Sequence, residues 1–374
     1  MPKPKVSVIG IRGILGIAGG AEIHSENLYR ELSNNFEITI YARKAYFNSK
    51  PTTHTSQQTK IKYVRCIKTM YLETISSTFV TTIICFIKKP EIAHFHNIGA
   101  GLFIPLIKLR GVKTVLTYHS KNFEHSKWGF IGRKFLRLCE YISVRHADEI
   151  ITINKTIADR ILSKFNRNCH VIPNGVTKVS NFNSLNLIEQ FGCKSGKYVL
   201  YVGRISPEKG VHILIQSFIR LKAEFKADHI QSYKLIIVGQ LTHKDKYERK
   251  VISLKANRND IIFTDYQSGY CLNELFSKAG IFVLPSFNEG HSIALLEAMS
   301  YRLPCLVSDI PELKVFNLGT DSYFKTGDVN CLMHKLFLLL KSPPCNKNYD
   351  IDEYSWGKIA DRTGTIFSNL LKKI

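Results

Sequence analysis

The stretch from Ile281 to Glu312, IFVLPSFNEGHSIALLEAMSYRLPCLVSDIPE, constrains this chain more than any other. Ile281 to Leu284 is an apolar run short enough to be a buried strand. Pro285 has no N–H to give a sheet ladder and ends it. A polar loop, Ser286 to His291, follows. Ser292 stands at an N-cap position before a helical run from Ile293 to Tyr301. Pro304 reopens a strand at Cys305 to Val307. Strand, loop, helix, strand is how parallel sheets are wired, so the pattern predicts an α/β fold.

The same alternation runs through the rest of the chain. In the first half, strands are expected at Lys5 to Ile9, Glu37 to Tyr41, Ile61 to Arg65, Ile92 to Phe95, Val112 to Tyr118, Glu149 to Ile153 and His170 to Ile172. A Gly-rich loop, IRGILGIAGGAE, leads from the first strand into a helix from about Ala21 to Leu32. Pro173-Asn174-Gly175 is a turn signal, and the polar tract to Asn186 reads as a linker. A second series starts at Tyr198 to Val202 and continues at Lys234 to Val238 and Ile261 to Thr264. The tail places Trp356, Ile359, Ile366 and Leu370 within one broad helical face. Domains are therefore expected at 1–176 and 187–355, with a C-terminal helix over 356–374.

Three segments carry candidate chemistry. Glu289 in the loop and Glu297 in the following helix have seven residues between them. The N–H groups at a helix N-terminus attract anions, and Gly290 lets a ligand approach the backbone. A phosphate resting near His291, Ser292 and Ile293 would leave both carboxylates free to accept from hydroxyls on either side. A nucleotide sugar has that layout. Taken alone, the two glutamates read as a solvated loop residue and an ordinary helix-surface charge. Second, Arg204 and Lys209 lie in a strand-to-helix loop, GRISPEKG, where two cations can clamp a diphosphate. Third, His94 and His96 share one strand face. A metal pair is the sharp reading of them, but no third ligand is evident from sequence, and histidines at the mouth of a cleft are the expectation. A convincing Asp-x-Asp metal motif is also missing, so no metal and no cofactor are expected.

The 52 Lys+Arg against 30 Asp+Glu give a net charge of +22, which calls for an anionic partner. Zinc-finger, RNP and KH patterns are not found, and nucleic acid is not expected. The apolar stretch Ile75 to Ile87 is too short to cross a membrane and reads as a buried helix. The N-terminus does not read as a signal peptide. The nine scattered cysteines fit reduced thiols, and a cytoplasmic protein is expected. Between Lys121 and His146, Ile131, Phe135, Leu138 and Ile142 fall at helical spacing and are expected to face the core. Lys127, Arg133, Lys134 and Arg137, with Trp128 and Phe130, would present a basic, aromatic face. Such a face can dock on the inner surface of an anionic membrane; a solvated basic face over buried aromatics is the other reading.

PSFNEGHSIALLEAM followed by LPCLVSDIPE resembles the signature of glycosyltransferase family 4, and GRISPEKG resembles that family's Gly-Arg and Lys-Gly motif at the expected distance before Glu289. The resemblance covers nearly the whole chain. One departure is His291, where many members carry an aromatic residue or leucine; it would tune the donor. The resemblance implies the GT-B architecture, two Rossmann-like domains facing a cleft, with a C-terminal helix crossing back to the first. It implies retaining transfer without bound metal from a nucleotide-diphosphate sugar. Arg204 and Lys209 would hold the pyrophosphate, Glu289 the sugar and Glu297 the ribose. Gly19 and Gly20 match the family's N-terminal glycine loop facing the donor diphosphate and the acceptor. Arg12, in the same loop, is a candidate contact for an acceptor anion. His119 matches the family's strand-end histidine beside the transferred sugar. The sequence around His119, Lys127, Trp128 and Gly129 resembles members that build bacterial surface polysaccharides on lipid carriers, so a glycan or polyprenyl-diphosphate-linked acceptor is expected. A nucleotide-sugar epimerase and a non-catalytic nucleotide-sugar-binding subunit are the competing readings.

Overall fold

Two all-parallel sheets organise the chain. The computed structural model describes residues 2–14, 16–17, 19–46, 59–69, 72–121, 123, 128–178, 186–242, 245–341 and 346–372. It divides into one unit of Met1–Gly175 with Glu353–Ile374 and a second of Val176–Asp352.

The strands of the first unit are β1 (Lys5–Ile9), β2 (Glu37–Arg43), β3 (Thr59–Val64), β4 (Ile92–His96), β5 (Lys113–Tyr118), β6 (Glu149–Thr152) and β7 (His170–Val171). They stand in the order β3-β2-β1-β4-β5-β6-β7. The second unit holds β8 (Tyr198–Val202), β9 (Lys234–Val238), β10 (Ile261–Phe263), β11 (Ile281–Leu284), β12 (Cys305–Ser308) and β13 (Tyr323–Phe324), in the order β10-β9-β8-β11-β12-β13. In both sheets the chain runs outward from the first strand, then returns to its other side. That reversal opens a crevice at the carboxyl ends of the two strands flanking it, where ligands of open α/β sheets bind. The crevice lies between β1 and β4 in the first unit and between β8 and β11 in the second.

Strands buried on both faces read as near-continuous apolar runs, and β11 is buried at all four positions. The helix Trp356–Lys372 buries Trp356, Ile359, Ile366 and Leu370. It packs on the helix Gly20–Leu32, with Phe367 edge-on to Phe36. β13 is two residues long and carries no apolar run that sequence reading could catch.

Two helices depart from expectation. The helix Leu72–Lys88 is not buried throughout: it turns Ser77, Thr78, Thr81, Thr82 and Cys85 inward and leaves Phe79, Val80, Ile83 and Ile87 exposed. Small hydroxyl side chains can face inward when a helix carbonyl takes their proton, as Thr81 does with Ser77 O at 2.8 Å. The helix Phe130–His146 buries Leu136, Cys139, Glu140, Ser143 and Val144, while Ile131 and Leu138 are exposed. Glu140 sets that rotation. Its buried carboxylate accepts from Tyr118 Oη at 2.6 Å and from Lys164 Nζ at 3.0 Å, and it pairs with Arg160. A charge so fully paired can take a core position that periodicity assigns to an aliphatic. Among the described residues, no helix is long and apolar enough to cross a membrane.

Candidate functional site

In the second unit, two loops meet at the β8/β11 reversal. The loop after β8 carries Arg204 and ends in a single turn, Pro207–Lys209, before Gly210. Gly210 has φ +66°, and a Cβ there would collide with the carbonyl of Pro285, so this position requires glycine. Phe287 N donates to Glu208 O at 2.8 Å and ties the loop after β11 to the loop after β8. Across this seam Lys209 Nζ lies 2.6 Å from Glu289 Oε1. Ser286 Oγ donates to the same oxygen at 2.7 Å. Lys209 and Glu289, 80 residues apart, are thus in direct contact. Arg204 is more exposed and reaches Glu208 at 3.5 Å. Tyr201 Oη donates to the Arg204 carbonyl at 2.8 Å and braces the loop from beneath.

The helix Ile293–Ser300 starts beside this pair. Ser292 caps it, its Oγ accepting from Leu295 N at 3.3 Å, as the sequence predicts. His291 is buried against Phe316, and burial pushes its imidazole down to about 3, so it is neutral at physiological pH. Glu297 is half-buried on the second turn, and burial raises its carboxyl to about 7. A carboxyl near half-protonation can donate to or accept from a vicinal diol. Gly290 lies between Glu289 and His291 at the bend of the loop. Asp309 accepts from Thr326 N and Oγ1 at 2.9 and 2.6 Å and holds the turn after β12.

In the first unit the β1/β4 reversal carries different chemistry. Gly10, with φ +100°, lies so close under β4 that a Cβ would stand 2.6 Å from His96 O. Arg12 is gripped by Glu22, its Nε and terminal nitrogen donating to the two carboxylate oxygens at 2.8 and 3.0 Å. Gly19 and Gly20 begin the helix that carries Glu22. His94 and His96 are fully buried, so they do not line an open mouth; the helix Gly20–Leu32 covers them. Tyr29 Oη bridges His94 Nδ1 at 2.7 Å and His96 Nε2 at 2.5 Å. His96 Nδ1 meets His119 Nε2 at 2.8 Å, and His24 stands edge-on to His119. Burial holds all four imidazoles neutral: His24 is lowered to about 4, His94 to about 3, and His96 and His119 well below their ordinary value.

The structure therefore assembles Lys209, Glu289, Ser292, Ile293 and Glu297 in one unit and Arg12, Gly19, Gly20 and His119 in the other. Sequence reading missed Ser286, Tyr201, His24, Tyr29 and Asn174. Ser286 carried a signal, three residues before Glu289 on the same loop. Tyr201 acts on its own loop, three residues on, whereas His24, Tyr29 and Asn174 act through contacts between distant segments.

The family model for Glycosyltransferase Family 4 matches residues 18–178, and that for Glycosyl transferases group 1 matches residues 186–355. The chain belongs to glycosyltransferase family 4. It is 31% identical over 212 residues to the O-antigen chain mannosyltransferase RfbU of Salmonella typhimurium, covering 56% of this chain and 54% of that protein. It is 28% identical over 187 residues to an uncharacterized glycosyltransferase of Methanocaldococcus jannaschii, covering 47% and 46%. The chain spans about half the length of these curated relatives. A sucrose-phosphate synthase from Thermosynechococcus elongatus superposes with a TM-score of 0.80 at 17% identity over 100% of both chains. At that identity the likeness shows the fold, which is GT-B.

This family 4 chain also carries an uncovered apolar surface. On the helix Phe130–His146, Phe130, Ile131, Leu138 and Tyr141 are exposed alongside Arg133, Lys134 and Arg137. Lys134 lies over the Phe130 ring at 4.5 Å. Trp128 is half-buried against the core, and Lys127 lies outside the described residues.

Proposed function

We propose that this protein is a retaining glycosyltransferase that moves a sugar from a nucleotide-diphosphate sugar to a glycan or lipid-linked acceptor in bacterial surface polysaccharide synthesis. The carrying observation is the contact of Lys209 with Glu289 at the β8/β11 reversal, beside a capped helix N-terminus. In the ligand-free chain each neutralises the other. A donor pyrophosphate draws Lys209 and Arg204 to itself, with amides near His291 to Ile293 assisting, and frees Glu289 for the sugar hydroxyls. Glu297 takes the ribose, and His119 contacts the transferred sugar. As the C–O bond breaks, negative charge grows on the leaving nucleoside diphosphate. Preplaced cations are worth about 3–4 kcal/mol each in favourable sites. The departing phosphate accepts the acceptor's proton on the same face, and no added metal is needed. The names of the relatives support the polysaccharide setting.

The surface chemistry supports a location for the acceptor. Exposed Phe130, Ile131, Leu138 and Tyr141 among Arg133, Lys134 and Arg137 suit the interface of an anionic bilayer, at roughly 1 kcal/mol per basic residue. The protein would then work as a peripheral protein on the cytoplasmic face, where a lipid-linked acceptor is presented.

The test is product analysis with UDP-, GDP-, dTDP- and ADP-sugars, with and without a polyprenyl-diphosphate-linked acceptor and with EDTA present. One donor should give an acceptor-dependent, anomer-retained product. Conversion of the donor without acceptor would make the protein an epimerase, and saturable binding without any product would make it a binding subunit. Sedimentation with phosphatidylglycerol vesicles should fall sharply when Arg133, Lys134 and Arg137 are all replaced by Glu; equal sedimentation would remove the membrane from the proposal.

A further inference from the structure

His24, His96 and His119 come from three elements: the helix Gly20–Leu32, the end of β4, and the residue after β5. One ligating nitrogen from each lies within 4.8 Å of the others. Hydrogen bonding decides which of these nitrogens can offer lone pairs. His24 Nδ1 lies 2.9 Å from Asn174 Oδ1, an acceptor, so Nδ1 carries the proton and Nε2 bears a lone pair. That Nε2 is buried without a hydrogen-bond partner, a costly state for a polar atom. On the other side, His94 Nε2 is 2.7 Å from Thr117 Oγ1, and Tyr29 Oη joins His94 to His96. In one polarity His96 Nε2–H donates to Tyr29, Tyr29 O–H to His94 Nδ1, and His94 Nε2–H to Thr117. His96 Nδ1 is then a lone pair aimed at His119 Nε2. With the His119 proton on Nδ1, all three lone pairs converge without net loss of a proton. Metal-binding histidines hold their second nitrogen on a neighbouring group in this way.

We propose that His24 Nε2, His96 Nδ1 and His119 Nε2 form a site for one divalent ion of the Zn²⁺ class. Imidazole ligands favour Zn²⁺, Co²⁺, Ni²⁺ and Cu²⁺ over Mg²⁺ or Ca²⁺. Three neutral ligands leave the ion's charge uncompensated, so its fourth position takes hydroxide or another small anion. His119, at 7% exposed against 2% and 0% for His24 and His96, is the side open to it. The site goes beyond the proposed activity, which uses no metal. One consequence rests on the role proposed for His119: an ion holding its Nε2 withdraws that imidazole from the sugar, and so inhibits transfer.

The full chain, stripped with chelator, is titrated with Zn²⁺ by calorimetry and with Co²⁺ by visible absorption. The expected result is one ion per chain and the intense d–d bands of tetrahedral Co²⁺. His24→Ala should abolish those bands and weaken Zn²⁺ binding by about 100-fold or more, and Asn174→Ala should weaken it about 10-fold. His170→Ala, an exposed histidine paired with Glu149 outside the trio, should change neither. Circular dichroism checks folding, and Asn174→Ala, which keeps all three rings, decides the matter if His24→Ala does not fold. Affinity unchanged in the folded variants, or no tetrahedral Co²⁺ spectrum, overturns the site. If Zn²⁺ binds as expected but turnover is unaffected, the site stands and His119 leaves the reaction. If Zn²⁺ does not bind while transfer proceeds, the site falls and the transferase reading stands.

Discussion

The two sheet reversals share one wiring and carry opposite electrostatics. At β8/β11 the loops and the helix that follows present Arg204, Lys209, Glu289 and Glu297; Lys209 and Glu289 are in direct contact and Arg204 reaches Glu208. At β1/β4 the walls are four neutral, buried imidazoles, two of them, His94 and His96, bridged by Tyr29, with the Arg12–Glu22 ion pair in the loop after β1. Topology fixes where a crevice opens; the residues at its rim decide what it can hold. Formal charges at hydrogen-bond distance can be re-partnered by an incoming diphosphate, whereas neutral imidazoles offer lone pairs and N–H groups but no charge to exchange.

The difference can be broken first at Glu289. Glu289→Ala should cut transfer by about a thousandfold while the chain still folds by circular dichroism; full activity would end the assignment of the second reversal as the donor site. Lys209→Ala should lower turnover by about a hundredfold, and acceptor affinity measured alongside should hold. If only acceptor affinity moved, the two reversals would have exchanged roles.

Tyr29→Phe probes the neutral side. It strips a buried hydroxyl from between His94 Nδ1 and His96 Nε2, and should cost about 1–3 kcal/mol in urea denaturation while donor binding to the second unit stays intact. A stability loss below about 0.5 kcal/mol would show that the bridge does not lock the network.

The effects of pH have opposite signs in the two regions. Glu297 titrates near 7 when folded, above its ordinary 4.5, so the folded chain holds the extra proton and stability from this group falls as pH rises from 4.5 to 7. Glu297→Gln should therefore gain up to about 3 kcal/mol over the parent at pH 8 and nothing at pH 4. His24 titrates near 4, below its ordinary 6.5, so the unfolded chain takes up protons first and stability from it falls as pH drops from 6.5 toward 4. Denaturation curves of the parent and Glu297→Gln at pH 4, 6 and 8 test the first sign; a gain that is constant with pH would refute it.

The second reversal was legible in the sequence because its parts are local. Pro285, Glu289, Gly290, Ser292 and Glu297 fall within one strand-loop-helix unit, and Ser292 caps the helix as its position predicts. The pairing of Lys209 with Glu289 was legible only as two motifs in order. The first reversal was poorly legible. His94 and His96 showed their shared face, but a third histidine could not be named, because His24 and His119 reach them from elements separated by up to 95 residues. Helical periodicity placed Ile131 and Leu138 inside, and the structure places Glu140 there, since Arg160 and Lys164 arrive from a later helix to pair with it.

Alternating apolar runs, prolines, glycines and caps determined that the chain folds as parallel α/β sheets and where most strands begin and end, because those signals act within a few residues. Which polar groups may be buried was decided only in three dimensions. A carboxylate, a row of threonines or a cluster of histidines goes inside when a distant segment supplies its partner, and no local pattern records that meeting.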